Sequence, residues 1–502
     1  GHTNTEGNAL LRQWGEAHRR VALLAVQGAP EDDQDFVKRY EEARREADSI
    51  EREVGRRVYS NAVTSAQAGA REICRALPDD TALVSYARAG QSYVAFVLTP
   101  HDSIPEFLML GSAEEIDSSI SRWMRSVWGG MRRAGTNSER ECREAGKRVR
   151  SLVFDPVRTH LGRVRRVLVV PDGSLYQVNF YALPYGATSY LVESGVVIHE
   201  LTCERDLVDP SAPSSGEGAL IVGGPDYDWA DSKGMSSEDT APTLRRHDSG
   251  SRTSPPASAP CPDLSELRFQ RLPGSRREAE EVAAMVRIRS RDASLPGRVM
   301  VLTGSNATEE AVKRTSPGKP LLHFATHGFY LGECRSAPGT TRAFGATVPS
   351  RRQRPAFDRP LLLSGLALAG ANRRSETPAG GEDGILTAEE IACMNLTATG
   401  WAVLSGCETG LGGQQRNEGI VGLRRAFRIA GVRTLILSLW PVEDQAARVW
   451  MRSLYEARWI GGRDTAEAVR DASLQVLREL RAQKRSTHPW YWASFVASGD
   501  WD

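Results

Sequence analysis

The chain has 502 residues, too many for one ordinary hydrophobic core, so two or three subdomains, or one large domain with insertions, are expected. Its 64 basic residues balance 63 acidic ones to a formal charge of +1, which gives no global pull toward nucleic acid or a membrane surface. No stretch approaches the roughly 20 apolar residues that cross a bilayer, and the start lacks the pattern of a secretory signal, so a cytoplasmic protein is expected.

From about residue 9 to 75 the sequence is charged, Ala-rich and nearly free of Gly and Pro, with Val37, Tyr40, Ala47 and Ile50 at helical spacing. This predicts a helical pair broken near Gly28-Ala29-Pro30, with no internal period to mark a repeat array. The opening Gly1-His2 reads as an expression remnant, with more chain expected upstream. After Pro78-Asp79-Asp80, residues 81–86 and 92–98 read as a hairpin, 114–133 and 139–152 as helices, and 164–171, 196–201 and 219–223 as strands. Residues 231–262 are rich in Ser, Pro, Thr and Asp and predict a mobile loop. A second interruption, 334–355, carries Arg335, Arg342, Arg351, Arg352 and Arg354. It reads as a solvated loop, or alternatively as an activation loop that the protein itself cuts.

The last third is the most regular. Residues 321–325 form a strand ending in Thr326-His327-Gly328, and 361–369 form an apolar run. Thr387 with Glu390 three residues on opens a helix in the stretch 384–393. Strand 401–404 leads into Ser405-Gly406-Cys407, followed by helix 419–430, strand 434–439, and helices from Asp444 and Thr465. This alternation predicts an α/β layered sheet of mostly parallel strands with right-handed crossovers.

In such sheets functional groups gather where strands end at their carboxyl edge, and His327 and Cys407 each follow a strand of the same predicted sheet. A thiol with an ordinary pKa near 8.5 is mostly protonated at neutral pH, so hydrolysis wants an imidazole beside it to take and return its proton. The amides of Gly328 and Cys407 are the candidate oxyanion donors, and both Gly328 and Gly406 permit close backbone approach. Taken singly, a histidine after a buried strand is a structural residue and a lone cysteine inert packing; the pairing is what favours chemistry. The seven cysteines show no zinc-type close pair, which fits reduced thiols, and no metal or organic cofactor is implied. The i, i+4 pair His323 and His327 raises a zinc alternative, but His323 on a strand would point into the buried layer.

The segments His323-Phe324-Ala325-Thr326-His327-Gly328-Phe329 and Leu404-Ser405-Gly406-Cys407-Glu408-Thr409-Gly410 resemble the two signature motifs of the CHAT family, peptidases related to caspases and separase. Weaker likenesses lie at 168–175, 271–274, 383–391 and 438–444, so the resemblance covers roughly residues 80–500. It implies a caspase-like α/β/α sandwich around a mostly parallel sheet, preceded by an N-terminal helical segment. By motif position Cys407 is the nucleophile and His327 its partner in cleaving a protein substrate, in bacterial defence or programmed death. The implied division is a helical segment 1–77, a pseudo-caspase-like half 78–265 and a catalytic half 266–502, with an upstream activator or sensor protein as a further partner. For the substrate pocket, Trp440 is a candidate wall and Glu443 and Asp444 candidate acids; Asp383 and Glu408 are further candidates. The bland alternative places Trp440 in the core and the two acids at a helix start, where carboxylates suit the dipole. A catalytically silent interaction scaffold of the same fold is the remaining rival.

Overall fold

The computed structural model describes residues 5–27, 35–57, 69–100, 102, 104–132, 136–208, 216–230, 267–290, 297–330, 360–377, 381–406 and 417–502. The helix break at Gly28-Ala29-Pro30, the loop at 231–262, the insertion at 334–355, and Cys407 and Glu408 lie outside the described residues. The chain opens on helices α1 (Thr5–Gln27), α2 (Phe36–Arg57) and α3 (Ala70–Ala76). Strands β1 (Thr81–Ala89), β2 (Ser92–Leu98) and β3 (Glu106–Ser112) follow, then α4 (Ala113–Arg132), α5 (Thr136–Val153) and α6 (Asp155–Arg158). Next come β4 (Arg166–Val170), the short β5 (Pro184–Tyr185) and β6 (Ser189–Tyr190), β7 (Val197–Glu200) and β8 (Ala219–Pro225). The remainder runs α7 (Pro273–Ser290), β9 (Val299–Gly304), α8 (Glu309–Thr315), β10 (Leu321–Ala325), β11 (Gly328–Tyr330), β12 (Ser364–Ala367), β13 (Ile385–Thr387) and α9 (Ala388–Ala392). It closes with β14 (Trp401–Leu404), α10 (Asn417–Ile429), β15 (Thr434–Ser438), α11 (Asp444–Tyr455), α12 (Thr465–Ala482) and β16 (Phe495–Gly499).

Eleven strands form one sheet in the order β3-β2-β1-β4-β7-β16-β15-β14-β10-β8-β9. Strands β1, β4, β7 and β16 run parallel to one another, as do β15, β14, β10, β8 and β9. The two blocks are opposed, because β16 is antiparallel to β15. Their carboxyl ends therefore open at opposite edges of the sheet. Strands β10, β14 and β15 are buried along their whole length, as their mostly apolar runs require when both faces are covered. Successive residues of β10 show the two covers: His323 meets Glu278 of α7 and Tyr455 of α11, whereas Phe324 lies against Phe427 of α10. The architecture is an α/β/α sandwich.

A small antiparallel sheet, β11-β12-β13, stands beyond the end of β10. Its exit is fixed by the Thr387–Glu390 capping box read in the sequence, Thr387 Oγ1 accepting from the Glu390 amide at 3.2 Å and Glu390 Oε2 accepting from the Thr387 amide at 3.0 Å. Helix α1 packs Ala17, Val21, Ala22 and Ala25 against α2 and Leu362. One turn of α1 is tied to the second half through His18 Nδ1 to Glu389 at 2.6 Å and Arg19 to Glu382 at 3.7 Å. Among the described residues no helix is long and apolar enough to cross a membrane.

Candidate active site

Strands β8, β10, β14 and β15 bring their carboxyl ends to one edge, and each leaves a named residue there: Tyr227, His327, Gly406 and Ser438. The register of β10 and β14 pairs Phe324 with Leu404, and the Ser405 amide continues it by donating to the Phe324 carbonyl at 2.9 Å. Gly406 is required at the next position. A Cβ there would stand 1.5 Å from the Thr326 carbonyl oxygen, so no other residue fits the approach of the two chains. From the other side Ser438 Oγ donates to the Gly406 carbonyl at 3.1 Å. The backbone leading into residue 407 is thereby held beside the Thr326-His327 turn.

His327 is 6 % exposed. Its Nε2 lies 2.7 Å from the Gln270 carbonyl oxygen, which can only accept, so Nε2 carries the proton in the neutral ring and Nδ1 carries the lone pair. Nδ1 is buried with no hydrogen-bond partner among the described residues. Burial holds the imidazole below its ordinary range, opposed by the Gln270 hydrogen bond, so the ring is neutral and basic at Nδ1 near pH 7. Rings of Tyr227 and Phe269 stand 5.3 and 5.7 Å from it.

The main chain at His327 is fixed by a relay in which every proton has one place. The His327 amide donates to the Tyr227 hydroxyl over a long 3.4 Å, Tyr227 donates to Thr326 Oγ1 at 2.9 Å, and Thr326 donates to the Ala367 carbonyl. Burial pushes the Tyr227 phenol up to about 12, so it stays a donor across the physiological range. In return the Ala367 amide donates to the His327 carbonyl at 2.9 Å. Sequence reading missed Tyr227 and Gln270. Tyr227 follows a strand that had been read only to Gly223, and residue 270 contributes a carbonyl, which any residue could supply.

The remaining expected site residues fall elsewhere. Trp440 is fully buried and donates its indole N–H to the Trp490 carbonyl at 3.3 Å, so it is core rather than a pocket wall. Glu443 is the N-cap residue of α11 and pairs with Arg485 at 3.3 Å, while Asp444 opens that helix and its side chain lies outside the described residues. Asp383 belongs to a buried acidic group with Glu309, Glu382 and Glu390. Burial and the neighbouring Glu390 carboxylate push it up to about 7. His323 spends both ring nitrogens in the core, at 3.0 Å from Tyr455 and 3.0 Å from Glu278, which leaves it no lone pair for a zinc ion shared with His327. Oxygens of Glu309, Glu382 and Glu390 come within 4.8 Å of one another, close enough for a cation. The Lys313 ammonium already stands among them at 2.7, 2.7 and 2.9 Å, so an ion would have to displace it.

A family model for the CHAT domain matches residues 143–500. The chain belongs to the CHAT domain family. The match begins within α5 and takes in β4 and every later element, so it includes strands of both blocks. Among curated proteins the CHAT chain is similar to tetratricopeptide repeat protein 28 of Mus musculus, 27 % identical over 361 residues, and of Homo sapiens, 27 % identical over 199 residues. These alignments take in 68 % and 39 % of the chain but only 12 % and 8 % of the relatives' lengths. Among solved structures it is similar to the Saccharomyces cerevisiae separase–securin complex, with 8 % identity and a TM-score of 0.46 over 99 % of this chain and 34 % of that one. It is also similar to the Arg-specific cysteine proteinase gingipain R, with 8 % identity and a TM-score of 0.36 over 77 % of this chain and 73 % of that one.

Proposed function

We propose that this CHAT domain is a cysteine endopeptidase in which Cys407 attacks the scissile carbonyl and His327 handles the proton. The observation that carries the reading is the buried Nδ1 of His327, unpartnered among the described residues, beside a chain that Gly406 brings into contact with Thr326. The β10–β14 ladder ends on Phe324 with Leu404, and His327 and Cys407 each follow three residues later in the sequence, which supports a short path between the two side chains. In the first step the thiol proton passes to Nδ1 and the thiolate sulfur bonds to the carbonyl carbon. The amides of Gly328 and Cys407 are proposed to hold the oxyanion. Nδ1 then returns the proton to the leaving amine, leaving a thioester that water hydrolyses with Nδ1 again as base. The substrate is a polypeptide, in a defence or death pathway of the kind the motif resemblance implies.

A second reading, a silent interaction module, is favoured by the curated relatives, whose name describes a repeat protein and no peptidase. A thiol alkylator and a chelator separate the readings. The peptidase loses all cleavage of a denatured protein substrate to iodoacetamide and none to EDTA; loss to EDTA alone would indicate a metal enzyme, and no cleavage under any condition the scaffold.

A further inference from the structure

The carbonyl that fixes the His327 tautomer belongs to a segment with no sheet of its own. Residues 267–270 run without helix or strand before α7, and an isolated strap is a poor place to hold an acceptor to within about 0.5 Å. The side chain of Asn372 supplies what a neighbouring strand would. Its Oδ1 accepts from the Phe269 amide at 2.8 Å and its Nδ2 donates to the Phe269 carbonyl at 2.9 Å, so both main-chain groups next to Gln270 are clamped by one amide. The second Nδ2 proton goes to Asp228 Oδ1 at 2.8 Å, which fixes which end of the amide is which.

Asn372 is also anchored to the other side of the histidine. Its own amide donates to the Tyr227 carbonyl at 2.8 Å, and Tyr227 is the residue whose hydroxyl receives the His327 amide. One residue thus reaches the ring through Phe269 and Gln270, and the main chain through Tyr227. Arg374 steadies the far end of the strap by donating to the Leu267 carbonyl at 2.7 Å.

We propose that Asn372 is a positioning residue for His327, fixing through Phe269 the carbonyl that holds the Nε2 proton and so keeping the lone pair on Nδ1. The proposal deepens the peptidase reading and rests on it for its catalytic consequence, since an imidazole protonated on Nδ1 could not accept the thiol proton there. No part of Asn372 needs to touch a substrate.

The test uses the full chain labelled with 15N-histidine, the His327 signals being identified by their loss in His327→Gln among the nine histidines. Wild-type His327 is expected in the Nε2–H tautomer near pH 7.5. Asn372→Ala and Asn372→Asp should move it toward a mixture or the Nδ1–H form, and lower kcat on the order of 10–100-fold with KM nearly constant. The aspartate variant keeps the acceptor for the Phe269 amide but turns a carboxylate toward the Phe269 carbonyl and Asp228. An unchanged tautomer in variants that fold overturns the proposal, even if kcat falls. An Nδ1–H tautomer in the wild type overturns it without any variant. If Cys407→Ala cleaves as well as wild type, the peptidase reading fails while the tautomer result still decides the role of Asn372.

Discussion

At the scale of single residues the site depends on which groups are left without partners and which are over-supplied with them. His327 Nδ1 is buried and unbonded among the described residues, a costly state for a ring nitrogen, and it is the atom that the proposed chemistry needs as proton acceptor. Asp383 is the opposite case, a carboxylate crowded by others. Its proton is held up to about 7 in the fold and lost near 4 in an unfolded chain, so between those values the folded state binds the extra proton. Stability attributable to Asp383 therefore falls as pH rises from about 4 to about 7, and the cost is complete above that range. Asp383→Asn keeps an acceptor for the Ile385 amide at 2.8 Å and removes the charge. Its melting temperature should exceed that of wild type by more at pH 8 than at pH 5; an equal or smaller gain at pH 8 would contradict the assignment. His327 was legible in the sequence because a histidine followed by glycine after an apolar run is a pattern of residue types. The Gln270 carbonyl and the Asn372 clamp were not, because backbone contacts made across long sequence separations leave no mark on composition.

Among elements, the mostly apolar strands were read from sequence nearly to the residue, and β10, β14 and β15 fall where their runs predict. Strands β3, β9 and β16 were not read. Strand β3 leaves Phe107 and Met109 exposed at the edge, and β9 is only half-buried along most of its length, so neither shows a clean alternation. Strand β16 closes the first block against the second and lies 300 residues along the chain from its neighbour β7, counted from His199 to Gly499. Its ladder to β7 holds one residue pair, Ser498 with Glu200, where β15 and β16 share five. Side chains make up the difference: Asn179 Nδ2 donates to the Ala493 and Phe495 carbonyls at 2.7 and 3.1 Å, and His199 Nε2 donates to the Gly499 carbonyl at 2.9 Å. Asn179 is 2 % exposed and also accepts from the Tyr181 amide at 3.0 Å. Asn179→Ala would strand all three groups and should cost about 2–3 kcal/mol in chemical denaturation. A loss below about 0.5 kcal/mol would mean that the seam is held by apolar packing alone.

Across the whole molecule the opposed blocks give the sheet two carboxyl edges, and His327 and Gly406 stand at the same one of them. At that edge four strands converge on His327, and α1 reaches the same region through Val26, which packs in one cluster with Tyr227, Phe269 and Phe329. The helical N-terminus is thus part of the packing around the candidate site, which its charged, Ala-rich composition did not foretell. The α/β/α layering followed from the alternation of apolar runs, whereas the reversal between blocks did not, because pairing partners are chosen by faces that meet only after both halves exist. The central claim is that one thiol and one imidazole, carried by neighbouring strands, perform the chemistry. Its most direct measurement is cleavage of a diverse peptide library by the wild-type chain, Cys407→Ala and His327→Ala, read by mass spectrometry. The account predicts defined cuts by the wild type and none by either variant, both still folded; the same cuts surviving in Cys407→Ala would contradict it.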